Sequence, residues 1–351
     1  MPRKRTLRPK ANQDVIVSST FGDVKEHRDA LVTISNAAEL HDDELAAHDN
    51  QLALTLELRD WSSVCVALRN LSGLWIRRNR LASAERCLRI ASDVAVLTED
   101  ERALVAVGFA RFEQLAILAQ WEEAECLWAT LTSMGPPWHR AYSWNGDADV
   151  AYLRALLFRG DLDEHDLIRA ERVAVECKNW RTLRRLHALR GAWRLEHGEW
   201  ALAAASLHEA VAMAHIVHIN DVRAETQLVL AKFHLDQLTD ARGVAEVLAT
   251  SRYISRLDLA ALWLAIGDGE RAKTLALEAY RYAWSDGDPF VARWPLNKSR
   301  SLLNQIGVEV PNLPSYDPTK DQQEAWEESV SGAVEELRAH VGRRRNARGD
   351  C

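Results

Sequence analysis

The sequence has few cysteines, and their placement excludes two kinds of small-domain architecture. Only five occur in 351 residues, and no two of them form a C-x-x-C pair. This scatter supplies neither a disulfide framework nor a zinc knuckle, because both need cysteines at matched spacings. We expect Cys65, Cys87, Cys126 and Cys177 to be small core residues of helices.

Long apolar runs are absent as well. No segment approaches the roughly 18 consecutive apolar residues that a membrane-spanning helix needs. The basic opening, MPRKRTLRPK, continues into ANQDVIVSSTFGD rather than into the apolar stretch of a signal peptide. We therefore expect a soluble, cytoplasmic protein with no membrane partner.

Basic residues are too few for a general nucleic-acid binder. The chain has 44 Lys and Arg against 51 Asp and Glu, a formal net charge of −7. Because the phosphate backbone favours clustered cations, we expect no nucleic-acid partner.

Phe and Tyr are also scarce, with six of each against thirteen Trp. A Trp ring covers much area yet keeps an N–H group that needs a partner. We therefore expect most of these rings in seams between helices, and some at interfaces.

What the sequence does contain is a series of amphipathic helices. Between about residues 23 and 285, apolar residues recur at spacings of three and four, and strand patterns are missing. Asn79, Gly160, Gly198 and Gly267 each separate two such runs. This is typical of helical hairpins in series.

Small residues recur within these hairpins at fixed positions. In ALRNLSGLWIRRNRLASAERCLRIA, Ser72 lies on the first helix and Ala84 on the second. Similar spacing recurs with Gly191 and Ala203, and again with Ala260 and Ala272. Such a pattern predicts hairpins whose two helices approach closely. The clear repeats cover about residues 62–92, 101–133, 182–214 and 254–283, with degenerate repeats between them.

These units resemble tetratricopeptide repeats (TPR). The resemblance implies an all-α fold, a right-handed α-solenoid of TPR-like helical hairpins over residues 21–307. The segments WRTLRRLHALRGAWRLEHGEWALAAASLHEAV and AETQLVLAKFHLDQLTDAR also look like the helical repeat arms of bacterial STAND-type signalling proteins. Because the repeats begin by about residue 60, we expect this chain to lack the nucleotide-binding module of those proteins.

Simple segments flank the predicted solenoid. We expect a disordered basic N-terminus at residues 1–20, an extended linker at 308–320 and a C-terminal helix at 321–341. Residues 342–351 are predicted to be a disordered basic tail. Asp288 and Pro289 are predicted to begin the last helix before the linker.

No motif predicts catalysis, a cofactor or a metal. GDGERAKT at 267–274 lacks the second glycine and the preceding strand of a phosphate-binding loop. His215 and His218 have a spacing that metal ligands use, but no second pair matches them. Acidic groups stand where helices begin, which the helix dipole explains. We therefore expect no enzyme, no cofactor and no metal.

Two regions are candidate binding sites for a protein or peptide partner. The first is the groove lined by the first helices of the hairpins, where cations beside apolar residues suit an acidic peptide with hydrophobic anchors. The second is a loop rich in aromatic residues, SMGPPWHRAYSWNGDAD. The predicted groove residues are Arg69, Arg77, Phe109, Lys178, Arg181 and Arg185, and the loop residues are Trp138, Tyr142 and Trp144.

The repeat pattern favours a protein–protein interaction scaffold or sensor arm in a bacterial cytoplasmic signalling system. The alternative is a ligand-gated regulator that binds a small peptide or metabolite in the groove.

Overall fold

The structure is a computed structural model that describes residues 41–133, 145–216, 219, 221–251, 254–321 and 324–348. These residues form α-helices and connecting segments, and no β-strand occurs among them. The described helices, in chain order, are α1 (His41–Glu57), α2 (Trp61–Arg77), α3 (Leu81–Thr98), α4 (Glu101–Leu118), α5 (Trp121–Ser133), α6 (Asn145–Arg159), α7 (Glu164–Glu176), α8 (Trp180–Glu196), α9 (Trp200–Ile216), α10 (Val222–His234), α11 (Ala241–Ala249), α12 (Arg256–Ile266), α13 (Gly269–Trp284), α14 (Arg293–Ile306) and α15 (Ala325–Arg348).

The chain divides into two units, residues 1–51 and residues 52–351. In the first unit the structure describes part of α1. The second unit contains α2 to α15, in which consecutive helices pack against each other. The expectation of an all-helical fold is therefore confirmed for the described residues, none of whose helices is long and apolar enough to cross a bilayer.

Side chains just before the helices satisfy their first backbone N–H groups. Asp60, for example, accepts from the N–H of Ser63 at 3.2 Å, and Asp100 accepts from those of Arg102 and Ala103 at 3.0 Å each. Such caps give each helix a defined start. Equivalent caps are Asp163, Asn179, Asp221, Asp240, Ser255 and Asp268.

The turns between paired helices lie where the sequence predicts them. Asn79, Gly160, Gly198 and Gly267 all have positive φ, between 56° and 89°. Ala119 ends α4 in the same left-handed conformation. This conformation closes a helix by turning its last carbonyls toward the following N–H groups.

Small residues sit where paired helices meet. Ala84, Ala203 and Ala272 are fully buried on the second helices of their pairs. A Cβ atom added at Gly191 on α8 would lie 2.4 Å from Cγ of Leu207 on α9. The predicted close contact is therefore confirmed for this pair, because no larger residue fits without displacing Leu207.

The first described hairpin of the second unit contacts the last ones. The amide of Asn79 donates to the carbonyl of Tyr282, whose hydroxyl donates to the carbonyl of Arg77 at 2.8 Å. Apolar residues join these contacts, since Leu81 and Leu118 share a core cluster with Tyr280 and neighbouring residues of α13 and α14.

The N-terminus of α3 has a cap from a distant part of the chain. Arg80, the residue before α3, makes no side-chain cap. Instead the N–H of Ala82 donates to Oδ2 of Asp286 at 2.9 Å. The guanidinium of Arg80 pairs with the same carboxylate at 3.2 Å. Asp286 therefore does for α3 what Asp100 does for α4.

The C-terminal helix contacts α3. Arg86 of α3 donates to Glu327 at 2.9 Å and also pairs with Asp321. Val330 and Val334 of α15 are buried.

Several predicted boundaries were wrong. The last helix before the linker starts at Arg293, not at Asp288 and Pro289, because Gly287 and Phe290 form an isolated β-bridge there. α15 runs from Ala325 to Arg348, so residues 342–348 are helical although a disordered tail was predicted. Basic residues near the C-terminus of a helix complement its dipole. Residues 1–40 lie outside the described residues.

The prediction for the cysteines was half right. Cys65 and Cys87 are buried, and burial raises the pKa of the Cys65 thiol to about 12. Cys126 and Cys177 are exposed. Cys177 is the C-cap residue that follows the last turn of α7.

Candidate functional site

The predicted groove residues of the first two hairpins are engaged within the chain. Arg69 donates to Oδ1 of the neighbouring Asn70 at 2.7 Å. Arg77 is exposed at the end of α2, and its carbonyl accepts the Tyr282 hydroxyl. Phe109 of α4 meets the ring of Trp128 edge-on, with centroids 5.8 Å apart. In the structure, all three of these residues therefore contact other residues of the same chain.

Helix α14 occupies part of the face that the first helices share. The ring of Trp294 stacks on Phe158 of α6 at 5.1 Å, and the guanidinium of Arg223 of α10 lies 5.6 Å from it. Lys298 pairs with Glu196 of α8 at 2.9 Å. These contacts come from three different first helices. This face is therefore partly covered by the chain itself, which the sequence pattern did not indicate.

Of the predicted groove residues Lys178, Arg181 and Arg185, only the last two lie on the first helix of their hairpin. Lys178 lies in the turn before α8 with φ 53°, and α8 begins only at Trp180. The reason is local: Asn179 accepts the N–H of Thr182 at 3.1 Å and caps the helix, so Lys178 falls outside it. Arg181 is exposed in the first turn of α8, and Arg185 is partly exposed one turn later.

An aromatic residue that the sequence did not single out lies among these cations. Trp180 is 54% exposed, whereas Trp75, Trp263 and Trp326 are at most 8% exposed. We name Lys178, Trp180 and Arg181 the α8 patch. The sequence offers no clear signal for Trp180, because Trp61, Trp121 and Trp200 also begin helices and are less exposed.

The cations of the α8 patch have no partners within the described part of the chain. Neither Lys178 nor Arg181 makes a side-chain hydrogen bond or ion pair there. The nearby Arg184 is different, because it pairs with Asp221 and is mostly buried. Burial lowers the pKa of Arg184, and the charges of Arg185 and Arg181 lower it further. The guanidinium groups of Arg181 and Arg185 are therefore close enough to Arg184 to disfavour its charge.

A second polar cluster lies between α7 and α8. Nη2 of Arg190 is 2.8 Å from Oε2 of Glu171, in ionic contact without hydrogen-bond geometry. Nδ1 of His187 is 3.6 Å from Oε1 of the same carboxylate. Burial raises the pKa of Glu171 although Arg190 and Arg194 oppose it. Burial, assisted by Arg190, lowers the pKa of His187.

A cavity of about 540 Å³ lies between α3 and α15. Its walls carry both signs of charge, and several of these charges are already paired. Arg86 binds Asp321 and Glu327, and Arg338 lies 3.6 Å from Asp93. This cavity therefore presents no strong preference for a ligand of one charge.

The remaining candidates are placed as follows. Trp138, Tyr142, Trp144 and His218 lie outside the described residues. His215 is exposed, 3.7 Å from Glu225. Across the described ranges, no three His, Cys, Asp or Glu residues are grouped as metal ligands would be.

The phosphate-loop-like segment serves helix packing. Gly267 ends α12 in a left-handed conformation, and Asp268 caps α13 through the N–H of Arg271 at 3.2 Å.

No protein-family model, curated protein or solved structure matches this chain.

Proposed function

We propose that the chain is a non-catalytic protein-binding module, a scaffold or sensor arm of a bacterial cytoplasmic signalling system. The observation that carries this proposal is the repeated hairpin. Pairs α2 and α3, α8 and α9, and α12 and α13 each have a left-handed turn residue and a fully buried alanine on the second helix. We take these pairs as TPR-like units of a right-handed solenoid, an architecture whose stacked units offer extended binding surfaces.

The alternative function is a ligand-gated regulator. It is favoured by the polar contacts between the first and last hairpins, such as those of Asn79 and Asp286. A few hydrogen bonds contribute about 1 kcal/mol each. A ligand with a modest preference for one arrangement would be enough to shift such contacts.

Affinity purification from cells of the source organism distinguishes the two functions. The tagged full chain is purified at physiological ionic strength, and proteins are quantified against a tag-only control. We expect a protein partner in near-stoichiometric amount. The alternative predicts no enriched protein, together with a rise in the thermal unfolding temperature when small-molecule extracts are added.

A further inference from the structure

We propose that the α8 patch docks an acidic peptide segment that places an apolar side chain against Trp180. This inference rests on the proposed protein-binding function and names its site and the chemistry of its partner. The argument uses the exposure of the ring, the charges beside it and the rigidity of the turn that holds them.

The exposure of Trp180 is not explained by helix packing. Trp75, Trp263 and Trp326 are at most 8% exposed, but more than half of Trp180 faces solvent. Val173 and Val175, at the end of α7, are 42% and 49% exposed. Aromatic residues with apolar neighbours are enriched where partners bind, because covering them removes apolar area from water.

The charges of the patch are not explained by helix stability either. The first turn of α8 carries no acidic residue, whereas α7 begins with Glu164 and Asp166. Cations near a helix N-terminus oppose the dipole, and here the charge of Arg181 also disfavours that of the neighbouring Arg184. An acidic segment would relieve both effects when it binds.

The positive charge of the patch, opposite in sign to the net charge of the chain, also favours an acidic partner. The chain has a net charge of −7, so an acidic segment is repelled by the molecule as a whole and attracted to this basic region. A nucleic acid would need a wider field of unpaired cations than Lys178 and Arg181 supply. An acidic peptide fits the size of the patch.

The turn that carries the patch is well ordered by its own hydrogen bonds. The N–H of Lys178 donates to the carbonyl of Val175 at 3.0 Å, and that of Asn179 to Ala174 at 2.8 Å. The Asn179 side chain then caps α8. A partner would therefore meet cations and ring on a preformed backbone, which lowers the entropy cost of binding.

A displayed library of random peptides provides the probe. Peptides that bind the full wild-type chain are sequenced, synthesised with a fluorophore and titrated by fluorescence polarisation. We expect the enriched peptides to carry net negative charge and at least one aromatic or large aliphatic residue. Arg181→Glu and Trp180→Ala should each weaken binding by about tenfold or more.

Two matched variants serve as controls. Arg172→Glu makes the same charge change at an exposed position of α7, and Leu202→Ala removes an apolar side chain that is 50% exposed at the start of α9. Neither should change the affinity by more than about twofold. All four positions are exposed, so circular dichroism should report unchanged helix content.

Other outcomes overturn specific parts of the proposal. Acidic peptides whose affinity is the same for the wild type and both patch variants would place the site elsewhere and leave the protein-binding function standing. Enrichment of basic or uncharged peptides, or tighter binding of single-stranded nucleic acid than of any peptide, would overturn the acidic partner. If no peptide were enriched above bare beads, both the patch and the protein-binding function would be contradicted.

Discussion

Because Gly191 of α8 has a hydrogen atom in place of a Cβ methyl group, α8 can pack closely against Leu207 of α9. We predict that Gly191→Ala lowers the free energy of unfolding by about 1 to 2 kcal/mol, because the added Cβ would lie 2.4 Å from Cγ of Leu207. In a Leu207→Ala background the clash is absent, and the same substitution should become stabilising through helix propensity. Urea denaturation of the wild type, the two single variants and the double variant measures this.

Gly332 is the matched control for that experiment. It lies inside α15 and has no atom within 4 Å of the position that a Cβ would take. Gly332→Ala should raise the free energy of unfolding by about 0.5 to 1 kcal/mol. Equal effects at both glycines would show that α8 and α9 do not need a small residue at their contact.

His187 makes stability depend on pH. Its folded pKa lies below the ordinary 6.5 because of burial and the charge of Arg190, with Glu209 opposing. The unfolded chain therefore binds this proton more readily than the folded chain. Stability from this group is complete above pH 6.5 and is lost as the pH falls from 6.5 through the folded pKa.

We predict that His187→Gln reduces this dependence. Thermal unfolding of both proteins is followed at pH values above and below 6.5. The wild type should lose more stability than the variant on acidification. Parallel curves would mean that neither His187 nor its contact with Glu171 titrates differently in the two states.

At the scale of helices, capping side chains define where many of the described helices begin. Burial of Asp100 opposes its ionisation, but the N–H groups of Ala103 and Arg102 and the hydroxyl of Ser62 prevail and lower its pKa. We predict that Asp100→Ala lowers the free energy of unfolding by about 1 kcal/mol at neutral pH. The difference from the wild type should shrink in acid, as the carboxylate is protonated. Chemical denaturation at two pH values measures both effects.

Glu101→Ala is the control for the cap. It removes the same charge from the start of α4, where Glu101 is exposed, but leaves the cap intact. Its expected cost is about 0.5 kcal/mol or less. A cost equal to that of Asp100→Ala would assign the effect to charge alone.

The helices and their turns also show how much of the architecture could be predicted from the sequence. Turns at Asn79 and Gly198 depend on nearby residues, so local spacing was enough to predict them. Lys178 was placed on the first helix of its hairpin although Asn179 is a good cap and begins α8 after it. Trp180 was missed because other Trp residues that begin helices, such as Trp200, are less exposed. The sequence resemblance could not place α14 against the first helices, since those contacts join distant segments.

At the scale of the second unit, one carboxylate makes two of the polar contacts between its first and last hairpins. We predict that Asp286→Ala lowers stability by about 1 to 3 kcal/mol, because it leaves the N–H of Ala82 without an acceptor and Arg80 without its 3.2 Å partner. Hydrogen exchange should accelerate at the start of α3. Mass spectrometry of peptides from this region measures the change.

Glu309→Ala is the control for this prediction. Glu309 is an exposed carboxylate in the segment after α14, and its loss should change stability by less than about 0.5 kcal/mol. If Asp286→Ala accelerated exchange equally throughout the chain, its carboxylate would not act specifically on α3.

The distant cap of α3 also has a consequence for protein synthesis. Ala82 and Asp286 are 204 positions apart, so the ribosome releases α3 long before it makes the carboxylate that caps it. At about 5 to 20 residues per second, translation of the intervening chain takes about 10 to 40 s. During this interval the N–H of Ala82 lacks the acceptor that it has in the folded chain. The first hairpin is thus synthesised early, but the cap of its second helix can form only after the nascent chain has extended past α13.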